Sequence, residues 1–154
     1  MLTATLRADA SSRVSPETRW GYFPSVAAAW RVNDEAFLAD NKVGSDLKLR
    51  LSYGQTGQQS IGSYYQHLST YTASYDESRY LFGNKWYTTY RPNGYDPNIK
   101  WETTETYNIG IDYGFLNNRI SGTIDYYWRN TKDLLNDIFV PAGSNFTNRI
   151  ETNI

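Results

Sequence analysis

Apolar and polar residues alternate one by one through five stretches of this 154-residue chain. A period of two commits a chain to β-strands with two unlike faces. Leu2, Ala4, Leu6 and Ala8 oppose Thr3, Thr5, Arg7 and Asp9. Val26, Ala28, Trp30 and Val32 oppose Ser25, Ala27, Ala29 and Arg31. Leu47, Leu49, Leu51 and Tyr53 oppose Lys48, Arg50, Ser52 and Gly54. Tyr107, Ile109, Ile111, Tyr113 and Phe115 oppose Thr106, Asn108, Gly110, Asp112 and Gly114. Ile120, Ile124, Tyr126 and Trp128 oppose Ser121, Thr123, Asp125, Tyr127 and Arg129, with Gly122 on the apolar side as at a bend. The spacing predicts an all-β fold, an antiparallel meander of about five long strands near 2–10, 22–32, 46–55, 101–115 and 119–131. No window carries a helical stripe. A short helical turn fits Asp34–Ala39, with Asp34 as its N-cap.

Connection lengths add a second constraint. Asn117-Asn118 suits the positive φ of a tight hairpin turn. The stretch from about 56 to 100 carries no clear strand, and loops that long are uncommon in a compact domain unless functional. Outer-membrane barrels show this asymmetry, with short periplasmic turns and long extracellular loops. Placing Asn117-Asn118 on the periplasmic side makes 56–100 and Ala10–Gly21 extracellular and 33–46 periplasmic. Asn130–Ile154 then reads as the start of another extracellular loop, with no strand after it. Tyr53, Trp101, Tyr107, Tyr113, Phe115, Tyr126 and Trp128 lie near strand ends or on the apolar face, as interface girdles do. The same pattern fits a soluble β-sandwich that binds carbohydrate through a Tyr-rich loop. The two readings differ in where Leu49, Ile109, Ile111 and Ile124 go: against a second sheet, or into one outward band.

Composition removes several function classes. Fifteen Lys+Arg balance 16 Asp+Glu, so no basic excess exists to bind nucleic acid. The absence of Cys excludes disulfides and Cys-based zinc or redox sites. No catalytic constellation is visible, so no enzyme, cofactor or metal is expected. His67 stands alone in the long loop. Glu102 and Glu105 are three apart, which puts them on opposite faces of a strand, a poor arrangement for paired acid/base work. Gly54-Gln55-Thr56-Gly57 lacks the lysine of a phosphate loop. Asp133 and Asp137 suit contact with a cation but lack EF-hand spacing. Asn145-Phe146-Thr147 has only the form of a sequon. Mean hydropathy is −0.64, yet alternation dilutes every outward apolar residue with a polar one, so a low mean does not exclude a barrel.

The aromatics carry the binding candidates. Fourteen of the residues are Tyr. Tyr64, Tyr65, Tyr71, Tyr75, Trp86 and Tyr87 are the ligand-binding candidates of the long loop, since rings stack on sugar faces and hydroxyls bond to sugar edges. Packing of the loop against its neighbours is the plainer alternative, and contact with a lid protein is another. Lys48, Arg50, Asp112, Asp125 and Arg129 share the polar strand faces, either lining a lumen or pairing to satisfy a barrel interior.

Four stretches in order, Leu2–Arg13, Trp20–Arg31, Leu47–Gly57 and Pro97–Gly110, resemble the C-terminal barrel of the SusC/RagA family of TonB-linked outer-membrane proteins of Bacteroidota. The hairpin through Tyr126 and the Lys132–Leu135 stretch also fit, while Ala10 and Val14 depart from the family's usual Gly and Phe. The resemblance implies a fragment holding about five strands of a roughly 22-stranded, plugged outer-membrane barrel. It implies import of a nutrient oligomer, glycan or peptide. It also implies a SusD-like lipoprotein cap, energy from TonB through N-terminal parts outside this chain, and contact with outer-membrane lipid.

Overall fold

The computed structural model describes residues 1–36, 44–60, 62, 64–141 and 147–154. In chain order the strands are β1 (Leu2–Ala10), β2 (Trp20–Arg31), β3 (Gly44–Gln58), β4 (Tyr71–Ala73), β5 (Tyr80–Phe82) and β6 (Lys85–Tyr87). β7 (Tyr90–Pro92), β8 (Glu102–Phe115), β9 (Ile120–Lys132), β10 (Leu135–Phe139) and β11 (Arg149–Asn153) follow. The chain divides into two compact units.

The first unit holds the long strands, hydrogen-bonded in the order β1-β2-β3-β8-β9. The β2–β3 and β8–β9 registers keep like faces together. Val26, Ala28 and Trp30 stand opposite Tyr53, Leu51 and Leu49. Tyr107, Ile109 and Ile111 stand opposite Trp128, Tyr126 and Ile124. The meander of long antiparallel strands is as the alternation predicts, and among the described residues the apolar face is largely exposed. Leu6 is 70%, Ile109 52% and Ile124 63% exposed, so the residues a sandwich would bury against a second sheet point outward. Aromatic rings form a ladder across that face: Tyr53 and Tyr107 have centroids 4.9 Å apart, and Tyr107 and Trp128 6.3 Å apart.

Glycine positions fit these packing needs. Gly122 is not merely a bend: its cross-strand partner is Tyr113, whose ring lies where a β-carbon would stand, with the ring hydroxyl 2.5 Å from that point. The turn after Phe115 is wider than a two-residue hairpin. Leu116, Asn117 and Asn118 all have φ near +54° to +60°, and Arg119 N donates to Leu116 O. Asparagine tolerates this region well; leucine does so only at a cost.

Three sequence expectations need correction. Asp34 does not cap a helix: it ends a 3-10 turn, Val32–Asp34, and pairs with Arg31 at 3.9 Å. The remainder of that expected turn, residues 37–39, falls outside the described residues. The long connection is not strandless. β4 pairs with β7 and β5 with β6, the latter around Gly83 and Asn84 at positive φ. Strands of three residues escape a periodicity test that needs four or more. The last stretch contains the hairpin β10–β11, registered Leu135 to Asn153 through Phe139 to Arg149.

The second unit comprises Ala10–Gly21, Gln58–Glu102 and Asp133–Ile154. Its small core holds Val14 and Ile99, both fully buried. Trp101 belongs to this core and not to an interface girdle: it is 8% exposed and its Nε1 donates to Arg19 O. Thr18 Oγ1 and Ser15 N both donate to Ile99 O. Asn153 holds three segments at once. Its Oδ1 accepts from Lys100 N at 2.9 Å, and its Nδ2 donates to Lys100 O at 3.1 Å and to Asp133 O at 2.7 Å.

Candidate functional site

The polar face of the five-stranded sheet carries a connected charge cluster. Arg50 on β3 donates through Nε and Nη2 to Asp112 Oδ1 on β8, at 3.2 and 2.9 Å. The same Nη2 reaches Asp125 Oδ1 on β9 at 3.0 Å. Thr123 Oγ1 adds a bond to Asp112 Oδ1 at 3.1 Å. One arginine therefore ties three adjacent strands together on one side. Gly110, opposite Asp125, makes this possible: a β-carbon there would strike the Asp125 carboxylate and stand 2.8 Å from Arg50 Nη2. The side chains are 29% to 41% exposed, so in water such pairs add little to stability. Lys48, opposite Arg31, and Arg129, opposite Thr106, lie on this same face by register. Asn108, opposite Tyr127, adds a buried Oδ1 without a hydrogen-bond partner among the described residues.

Glu102 and Glu105 do separate structural work. Glu102 is buried and accepts from Leu135 N. Glu105 accepts from Gln55 at 3.1 Å and Lys132 at 2.9 Å. These three polar groups follow the Tyr53–Tyr107–Trp128 ladder on the apolar side of their strands, because Glu105 and Tyr107 are two apart. Asp133 pairs with Lys100 and Asp137 with Arg149, both at 2.8 Å, so neither carboxylate is available as the cation contact the sequence suggested. Among the described residues no group of three metal-ligating side chains occurs. His67 is half-buried with its ring 6.4 Å from Tyr65. Asn145 and Phe146 of the sequon-like stretch lie outside the described residues.

Within the second unit a concavity of about 380 Å³ brings Tyr64 and Tyr65 together with the hairpin β10–β11. Tyr64 is capped by the Arg13 guanidinium, 4.5 Å above its ring. Tyr65 holds φ +62°, a left-handed conformation that a bulky residue keeps only when its surroundings demand it. Asn93 fixes one wall through bonds with Thr70 and Thr72. The other candidate rings lie elsewhere. Tyr71 is in β4, Tyr75 precedes the 3-10 turn Asp76–Ser78, and Trp86 and Tyr87 are in β6, all exposed. Lys85 lies over the Tyr87 ring at 5.4 Å. Sequence reasoning missed Arg149 and Glu151, because the stretch that holds them was read as loop. The signal was there in weak form: Arg149, Glu151 and Asn153 alternate with Ile150 and Thr152, over five residues.

A family model described as "TonB dependent receptor-like, beta-barrel" matches residues 1–153. The chain is 49% identical over its full length to TonB-dependent receptor SusC of Bacteroides thetaiotaomicron. It is 33% identical over 153 residues to TonB-dependent receptor P26 of Formosa agariphila. In each case it spans only 15% of the relative's length. Among solved structures, the RagAB peptide importer in its closed-closed state has a chain that superposes with a TM-score of 0.82 at 29% identity. That match covers 99% of this chain and 16% of the other.

Proposed function

The chain belongs to the TonB-dependent receptor-like β-barrel family, and on that premise we propose that it forms part of the wall of an outer-membrane importer of nutrient oligomers, glycan or peptide. The observation that carries this reading is the sheet's two-sidedness. Leu2, Leu6, Val26, Trp30, Ile109, Ile124 and Trp128 are exposed on one side, and the Arg50–Asp112–Asp125 cluster holds the other. A lipid-facing band and a polar lumen require that division. Lys48, Arg50, Asp112, Asp125 and Arg129 then face the lumen, and the ladder of Tyr53, Tyr107 and Trp128 sits at the outer bilayer interface, with outer-membrane lipid as its neighbour. Alternate connections of an antiparallel meander emerge together. Those after β1, β3 and β9 are extracellular, and the turn at 116–119 is periplasmic. Tyr64, Tyr65, Tyr71, Tyr75, Trp86 and Tyr87 serve cargo, or a SusD-like lipoprotein that closes the mouth. Energy arrives from TonB through parts of the protein outside this chain. The residues named bind and guide, and no bond-making step is assigned to them.

The absence of cysteine from this stretch makes a direct test simple. In the full-length protein, Tyr75→Cys is expected to react with a membrane-impermeant maleimide on intact cells, and Asn118→Cys only after the outer membrane is opened. Labelling of both positions, or of Asn118→Cys alone, on intact cells would overturn the orientation and the wall assignment with it.

A further inference from the structure

One polar row interrupts the apolar face of the long strands. Beside the ladder of Tyr53, Tyr107 and Trp128, Glu105 Oε1 accepts from Gln55 Nε2 at 3.1 Å and from Lys132 Nζ at 2.9 Å. The row spans β3, β8 and β9, as the ladder does. Asn130 stands opposite Glu105 and Thr103 opposite Lys132, so by alternation both share this face. The two charges are not equally displayed. The Glu105 side chain is 16% exposed and that of Lys132 54%. The carboxylate is covered by its two donors, and the surface presents the cation. Among the described residues Lys132 donates to Glu105 alone, which leaves most of its ammonium protons for a ligand. The exposed Asn130 adds amide donors two residues away. A lysine that only reaches for water needs no fixed position. This one, the last residue of β9, is pinned to the neighbouring strand, and the end of an outward band is where a charge costs least.

We infer that this row is a seat for the phosphate of an outer-leaflet lipid, with Lys132 and Asn130 holding phosphate oxygens and the three rings lying against the lipid carbons beside it. The inference rests on the wall assignment proposed above and adds which lipid chemistry the outward face selects. Ammonium–phosphate hydrogen bonds are charge-assisted, and a neutral headgroup offers no such partner. Tyr and Trp rings sit at headgroup depth, next to the charge. The Glu105 carboxylate opposes the phosphate while it orients the lysine, so the two charged residues have opposite effects on the lipid.

The test uses the full-length protein in dodecyl maltoside micelles, which carry no phosphate, doped with lipid A or with dephosphorylated lipid A. Thr103→benzoylphenylalanine puts a photoreactive ring opposite Lys132. Ile111→benzoylphenylalanine puts one in the middle of the apolar band, and its adduct serves as the reference. Relative to that reference, the Thr103 probe is expected to capture lipid A about fivefold more than the dephosphorylated form, the worth of one basic group beside an anionic headgroup. Lys132→Gln is expected to erase the preference, Lys132→Arg to keep it, and Glu105→Gln to keep or increase it. Equal capture of the two lipids overturns the inference, as does a preference that survives Lys132→Gln. So does equal loss in Lys132→Gln and Glu105→Gln, the pattern of an ion pair that only braces the strands. An unchanged Ile111 adduct in every variant shows that the barrel still assembles. Capture of both lipids at Ile111 without preference at Thr103 leaves the wall standing and removes the seat. Capture of neither lipid nor detergent at Ile111 removes the wall, and the seat with it.

Discussion

A missing β-carbon decides how three strands are joined. Gly110 lies under the Arg50 guanidinium and beside the Asp125 carboxylate, so any larger residue must displace one of them. Both neighbours are flexible side-chain ends, which makes displacement the cheap response and leaves the backbone in place. Gly110→Val in the full-length protein is therefore expected to lower stability by about 1–2 kcal/mol, read as a shift of the urea midpoint in lipid, without unfolding the barrel. An unchanged midpoint would mean that the cluster contributes nothing. Alternation alone put Arg50, Asp112 and Asp125 on one face, because register errors of one residue reverse every side chain. It did not give the role of Gly110, which depends on Arg50 and Asp125 on the two strands that flank it. The same holds for Gly122, where the sequence indicated a bend and the reason for glycine is the Tyr113 ring lying across it.

At the scale of elements, legibility followed strand length. β8, with 14 residues, repeats its pattern often enough to be unmistakable. β4 to β7, of three residues each, do not, and β10 and β11 have five apiece. Trp101 was misplaced for a related reason: next to a strand end, an interface ring and a buried core ring look alike in sequence, and only the Arg19 carbonyl tells them apart. The candidate site was half visible. Tyr64 and Tyr65 announce themselves by composition, while Arg149 and Glu151 join them through a hairpin whose other half ends ten residues earlier. What holds that hairpin is Asn153, whose single amide satisfies both backbone groups of Lys100 and the carbonyl of Asp133. Asn153→Ala leaves all three without their partner. Amide exchange across β10 and β11 is expected to accelerate about tenfold, with β8 and β9 unaffected. Equal acceleration in all four strands would show that Asn153 acts through the fold as a whole.

Among the described residues, β1 and β9 each have one neighbour in the sheet, and the apolar face is largely exposed, as in a segment of barrel wall. Two open edges and an uncovered face in water favour association. Produced alone, the 154-residue chain is expected to aggregate or to require detergent, as size-exclusion chromatography would report; a monodisperse monomer that melts cooperatively in buffer would contradict the barrel assignment. The unequal connections set a folding order as well. β8 and β9 are joined across residues 116–119, so their ladder zips from a local turn. β3 meets β8 only after residues 59–101 have been closed into a loop, and the entropy of that closure precedes any reward from pairing. The short hairpins β4–β7 and β5–β6 shorten the effective tether by bringing distant parts of it together beforehand. The long connection thus has a kinetic task of its own: it sets how long the edge of β3 waits, unpaired, for the strand that completes it.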